Sequence, residues 1–279
     1  MTPSWRRKVE RAEHHLRDFE ILVAPLKDRR GYPMSEGFET EDQDRLWVCR
    51  LDIPEPDDPL LPILAGDLMF NLRSALDHLA TAMVRRSTNR TAFPLFTTDP
   101  YERDPLTGDY LHGEARERWE TITKGFPKRA MPIVEFVQPY HFKKQGRDPR
   151  YGALALLRAL QNADKHRRLA IIVGGLRSPI IWYQLTPTKK RRARLPRVPD
   201  DGRLPPRTAV HRSLDPLPPD VKMEAEGTVD VMIGDGRRRE YYSCPGIFGA
   251  MINNVAGVLD QLEEFAVHTP APPKRGVQP

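Results

Sequence analysis

Between residues 58 and 86, apolar side chains recur at Leu61, Leu64, Leu68, Leu72, Leu79 and Met83. This spacing lays a stripe along one side of an α-helix, and other elements must cover that stripe. A chain with such a helix needs partners with apolar faces of their own. Residues 151–166 offer one, with Leu154, Leu157 and Leu160 turned inward. Residues 4–26 offer a second through Trp5, Val9, Ala12, Leu16, Phe19 and Val23. A last helix follows Cys244 and Pro245, with Phe248, Met251, Val255, Val258, Leu262 and Phe265 on one face. Pro245 suits a first turn, where a missing N–H costs nothing. Shorter helices are predicted near 113–124 and 131–137.

Strand signals are fewer. RLWVCRLDI at 45–53 is rich in β-formers and is closed by PEPDDP. LAIIVGG and PIIWYQL read as two successive strands, and 220–233 as a hairpin turning near Glu226 and Gly227. The expected fold class is α+β, a helical bundle with a small inserted antiparallel β-sheet. One domain would span 1–268, with a helical core at 4–166 and 244–268. A β insertion would occupy 168–234, with a flexible basic loop at 187–207, and 269–279 would be a disordered tail.

Composition narrows the setting. The chain has 279 residues and two cysteines, Cys49 and Cys244, which form neither a disulfide framework nor a metal-ligand pattern. It has no apolar run of about 18 residues. The stretch MTPSWRRKVERAEHH is basic but lacks the apolar core of a signal peptide. The expectation is a cytoplasmic protein with no membrane partner. A net charge of +6 favours anionic partners, and Lys189, Lys190, Arg191, Arg192 and Arg194 concentrate it. That run is either a nucleic-acid contact or a solvated, proline-rich loop.

Two polar constellations interrupt the apolar faces. On the 58–86 helix, Asp67, Asn71, Ser74 and His78 fall within about 60° of one another. They would either close a buried network or line a pocket. Arg73 and Asp77 are spaced for a local ion pair. Arg73 and His78 form an R-x4-H element, but five helical positions diverge by about 140°. They would converge only across a dimer interface or around a groove at a helix end. The second constellation is Asn162, Asp164, Lys165, His166 and Arg167. Asp164 shares a side with Leu157 and Leu160, so it is expected to point inward and to need a basic or hydrogen-bonding partner. His15, His78 and His166, with Asp67 or Asp164, make an alternative metal set on three helices, without the spacing of an established motif. No cofactor is expected: VGGLRS is not a phosphate loop, and no serine or cysteine sits in a nucleophile elbow.

The run NLRSALDH at 71–78, Phe93 with Pro94, Gln138-Pro139-Tyr140, and NADKHR at 162–167 together resemble a widespread bacterial family of unassigned function. The resemblance covers roughly residues 5–175. The R-x4-H spacing also resembles the HEPN superfamily of helical proteins, many of them metal-independent ribonucleases. Ser74 stands where that superfamily usually has Asn, His or Asp after the arginine. The resemblance implies a homodimer acting on RNA in a toxin or defence setting. His78 would serve as general base toward a ribose 2′-hydroxyl, and Arg73 would stabilise the phosphorane charge. The residues themselves leave two other readings open. One is a small-molecule enzyme, metal-dependent or not, with its pocket in the bundle. The other is a non-catalytic binding or scaffold protein.

Overall fold

The computed structural model describes residues 2–27, 31–41, 43–88, 91–166, 169–186, 189–193, 203–235 and 240–266. Arg167, Arg194 and the tail expected at 269–279 lie outside these, as does the side chain of His166. The helices are α1 (Ser4–Lys27), α2 (Leu60–Met83), α3 (Gly113–Thr123), α4 (Met131–Phe136), α5 (His141–Lys144), α6 (Ala153–His166) and α7 (Gly246–Leu262). The strands are β1 (Met34–Glu41), β2 (Asp44–Leu51), β3 (Ala170–Thr186), β4 (Lys189–Arg192), β5 (Arg203–Leu204), β6 (Ala209–Ser213), β7 (Lys222–Gly234) and β8 (Tyr241–Cys244).

These elements overturn the expected helical bundle with a small inserted sheet. Among the described residues the chain is α+β with seven helices and two antiparallel sheets, one of three strands and one of five. It divides into two compact units. One is helical, built from Met1–His15, Gly66–Lys165 and the chain from Phe248 onward. The other, Leu16–Ala65 with His166–Ile247, holds both sheets.

In the helical unit, α2 buries Leu68, Met69, Leu72, Leu76, Leu79 and Met83, and α6 buries Leu154, Leu157 and Leu160. Buried apolar stripes of this kind exclude water, each full leucine contributing about 1.5–3 kcal/mol against the entropy of ordering it. α2 and α6 also meet at Gly66, where a Cβ would stand 2.8 Å from Oδ2 of Asp164.

In the second unit, β1, β2 and β6 form the smaller sheet in that order. The larger sheet runs β4-β3-β7-β8, with β5 also paired to β3. The two strands expected at LAIIVGG and PIIWYQL are one 17-residue strand, β3. It pairs with β7 from Ala170 opposite Gly234 to Gln184 opposite Lys222, with register shifts at Val173/Gly175 and Arg177/Ile180. The hairpin expected at 220–233 is likewise one strand, β7. Gly227 lies inside it at φ +153, where a Cβ would come within 2.7 Å of the Arg177 carbonyl oxygen. The glycine therefore marks a close backbone approach at an irregularity, not a turn. The basic loop expected at 187–207 contains strands β4 and β5. No described helix is long and apolar enough to cross a membrane.

Candidate functional site

The irregular segment Phe93, Pro94, Leu95 and Phe96 is buried throughout. A buried non-helical backbone needs partners for its polar groups, and here side chains supply most of them. Arg73 Nη2 donates to the Phe93 carbonyl at 2.8 Å, and Asp77 Oδ1 accepts from the Phe93 N–H at 2.8 Å. Gln138 Nε2 donates to the Pro94 carbonyl at 3.0 Å and Oε1 accepts from the Phe96 N–H at 3.0 Å. Arg158 Nη1 donates to the Leu95 carbonyl at 2.7 Å, and the Tyr140 N–H donates to the Phe96 carbonyl at 3.1 Å. Arg73 and Asp77 also pair with each other at 2.8 Å. The NLRSALDH, Phe93-Pro94 and Gln138-Pro139-Tyr140 elements thus meet at one place, and the contact between them is architectural.

That pinned segment forms part of the wall of a cleft of about 480 Å³. α2 contributes Phe70, Arg73, Ser74 and Asp77, and α6 contributes Arg158, Gln161, Asn162 and Lys165. Both sets are spaced i, i+3, i+4, i+7, the spacing of one helix face. α3 adds Arg118 and Ile122. Trp119, beside Arg118, is buried and packs edge-on against Phe96 with ring centres 5.5 Å apart, which fixes the position of α3 on the segment.

Four cationic side chains and one carboxylate line this cleft. The carboxylate, Asp77, is already engaged by Arg73 and the Phe93 N–H. Among the described residues neither Arg118, Arg158 nor Lys165 forms an ion pair. Burial, and then the neighbouring charges of Arg118 and Arg73, push the Arg158 guanidinium below its ordinary range. A half-buried cation facing two others is costly unless an anion joins them. Gln161 is 5% exposed, yet its amide makes no hydrogen bond among the described residues. The amide is not sealed from solvent, and it borders the cleft, where water or a ligand can meet it. Ser74 Oγ and the Asn162 amide also have no partner among the described residues.

The structure distributes the sequence-predicted residues unevenly. Arg73, Ser74, Asn162 and Lys165 come together in the cleft. Asp67, Asn71, His78 and Asp164 do not line it. Asn71 is buried and donates to the Asp67 carbonyl at 2.8 Å. His78 is exposed, with Nδ1 3.0 Å from Ser4 Oγ. Asp164, expected to point inward toward a basic partner, is exposed and rests against Gly66 instead. Partial desolvation of the carboxyl group, and then the nearby Asp67 charge, raise it above the ordinary range. Among the described residues no group of three His, Cys, Asp or Glu side chains could hold a metal ion. Lys189, Lys190, Arg191 and Arg192 are exposed on strand β4, and Lys190 is paired with Glu224 at 3.0 Å. Both thiols are buried, and burial pushes Cys49 up to about 11, so neither is a ready nucleophile.

Sequence reasoning missed Arg118, Arg158 and Gln161. A signal for two of them was present: Arg158, Gln161, Asn162 and Lys165 fall on one face of a helix whose other face is leucine. The polar face of α2 was grouped around Asp67, Asn71, Ser74 and His78, one step around the helix from the face that lines the cleft. Only Ser74 belongs to both. No family model, curated protein or solved structure matches this chain.

Proposed function

We propose that this protein binds a phosphate-bearing small molecule in the cleft between α2, α3 and α6. The observation behind this reading is the convergence of Arg73, Arg118, Arg158 and Lys165 on one concavity whose single carboxylate is already occupied. Guanidinium groups present forked donors that match phosphate oxygens, and a lysine adds a compact charge. The Gln161 and Asn162 amides and Ser74 Oγ add hydrogen-bonding groups for orientation. The cleft volume falls within the range of small-ligand sites. Titration calorimetry with inorganic phosphate and simple phosphate monoesters tests the reading. Phosphate should bind, and Arg118→Ala should weaken binding by about ten- to a hundredfold, the worth of a hydrogen bond to a charged group. Arg118 makes no hydrogen bond that the fold needs, so this variant should fold normally. Absence of phosphate binding in the parent protein overturns the proposal.

A second reading keeps RNA as the anion. Arg73 borders the cleft, and His78 is exposed with Nδ1 held by Ser4, which leaves Nε2 as the proton acceptor in one tautomer. The two side chains leave α2 in different directions, so cleavage would need a second copy of the chain to supply the missing partner. Structured RNA incubated with and without EDTA tests it. Metal-independent cleavage should persist in EDTA and disappear in His78→Ala. Arg73→Lys, which retains a donor for the Phe93 carbonyl, is the folded control for the arginine.

A further inference from the structure

The cleft adjoins a second cavity across Ile122. This neighbour is a half-open groove of about 900 Å³ and shares Ile122 as a wall with the cleft. Chain continuity also joins the two, since Thr91 borders the second cavity and the next residue, Ala92, borders the first. Their chemistry differs. The cleft is cationic, whereas the base of its neighbour is formed by Met83 and Val84, both buried, with Ile122 and Pro127. Arg85, Arg86 and Lys124 stand exposed around it, where water screens their charge.

We infer that the two cavities form one bipartite site for a single-chain amphiphile, with a phosphate head in the cleft and an apolar tail in the cavity beyond Ile122. The inference rests on the anion-binding reading above and extends it to the class of ligand. Ile122 lies one helical turn from Arg118 on α3, so a phosphate held by Arg118 sits beside the wall the two cavities share. A tail that crosses this wall leaves water for the surface of Met83, Val84 and Pro127. The groove has no counterpart of Arg158, the half-buried cation of the cleft, so its apolar floor is better matched by a tail than by a second phosphate.

Titration calorimetry with inorganic phosphate, methyl phosphate, butyl phosphate and octyl phosphate tests the inference, below micelle-forming concentrations and with octanol as the uncharged control. Once the chain passes Ile122, affinity should rise about fourfold for each buried methylene. Octyl phosphate should therefore bind at least about tenfold tighter than butyl phosphate, even if only two methylenes enter the cavity. Octanol should bind far more weakly than octyl phosphate. Thr121→Trp, at an exposed position of α3 that borders the second cavity and not the cleft, should flatten the dependence on chain length. Equal affinity for methyl and octyl phosphate overturns the bipartite site and leaves the anion cleft standing. Octanol binding as tightly as octyl phosphate shows two unlinked sites and also overturns it. A full chain-length gain in Thr121→Trp places the tail elsewhere, with the same consequence. If no phosphate binds, inorganic phosphate included, the anion-binding reading falls and the amphiphile falls with it.

Discussion

Asp164 shows how far a single residue can be read from helical periodicity. Its position beside Leu157 and Leu160 predicts an inward side chain, but it lies near the end of α6, where exposure to solvent returns. The carboxylate settles on the bare backbone of Gly66, a contact open only because that residue has no Cβ. Periodicity gives the direction of a side chain from its own axis but not where the neighbouring helix leaves room. The arrangement has a pH signature. Partial desolvation and the Asp67 charge raise the Asp164 pKa in the folded protein above its unfolded value. The folded state therefore binds this proton more tightly than the unfolded state, so stability falls as pH rises from the ordinary carboxylate range through the folded pKa. A negative charge near a helix C-terminus adds to the penalty. Asp164→Asn should raise the Tm at pH 7, and the gain should vanish at about pH 3, where both proteins are neutral at this position. A variant that melts at or below the parent temperature at pH 7 would mean the carboxylate has a compensating partner.

At the scale of elements, α2 does two jobs with one polar face. Arg73 and Asp77 are an i, i+4 pair, a motif whose isolated worth is a few tenths of a kcal/mol. In this fold the pair also satisfies both backbone groups of Phe93, which makes it a clamp on the segment that walls the cleft. Asp77→Ala should cost about 1–3 kcal/mol in urea unfolding, because it strands the Phe93 N–H. Asp77→Asn keeps an acceptor and should cost less. Equal urea midpoints for Asp77→Ala and the parent would show that water replaces the carboxylate and that the clamp is unnecessary. The existence of α2, α6 and α7 was legible because long apolar stripes declare themselves. Strand β1 was not, since MSEGFETE shows no apolar alternation. Its determinants are cross-strand: Phe38 meets Trp47 edge-on at 5.1 Å, and Glu39 accepts from Arg50 Nε at 2.7 Å. Strand β4 was hidden by its four consecutive cations, which an exposed edge strand tolerates; one of them, Lys190, reaches past β3 to Glu224 and Glu226 on β7.

At the scale of the whole molecule, the question is whether net charge or local convergence governs anion binding. A net charge of +6 attracts any anion weakly, and the sequence draws attention to the basic run because its charges are contiguous. The cleft collects its cations from three helices, Arg73 on α2, Arg118 on α3, and Arg158 with Lys165 on α6. Charges dispersed in sequence and gathered by folding escape any scan for runs, which is why this cluster was not legible before the fold. The two accounts separate in a charge-matched comparison. Arg118→Gln with Lys165→Gln, and Lys189→Gln with Arg191→Gln, each lower the net charge from +6 to +4. The four side chains are exposed and form no ion pair among the described residues, so neither pair of changes should disturb folding. If convergence governs, the first variant should lose about a hundredfold or more in phosphate affinity, and the second should stay within about twofold of the parent at 0.15 M salt. If net charge governs, the two variants should weaken alike, and both losses should disappear as salt rises. Structured RNA in place of phosphate reverses the stakes, because a long polyanion can use β4. A flatter salt dependence in the second variant would then assign that strand to nucleic-acid contact, and an unchanged slope would leave it as a solvated edge.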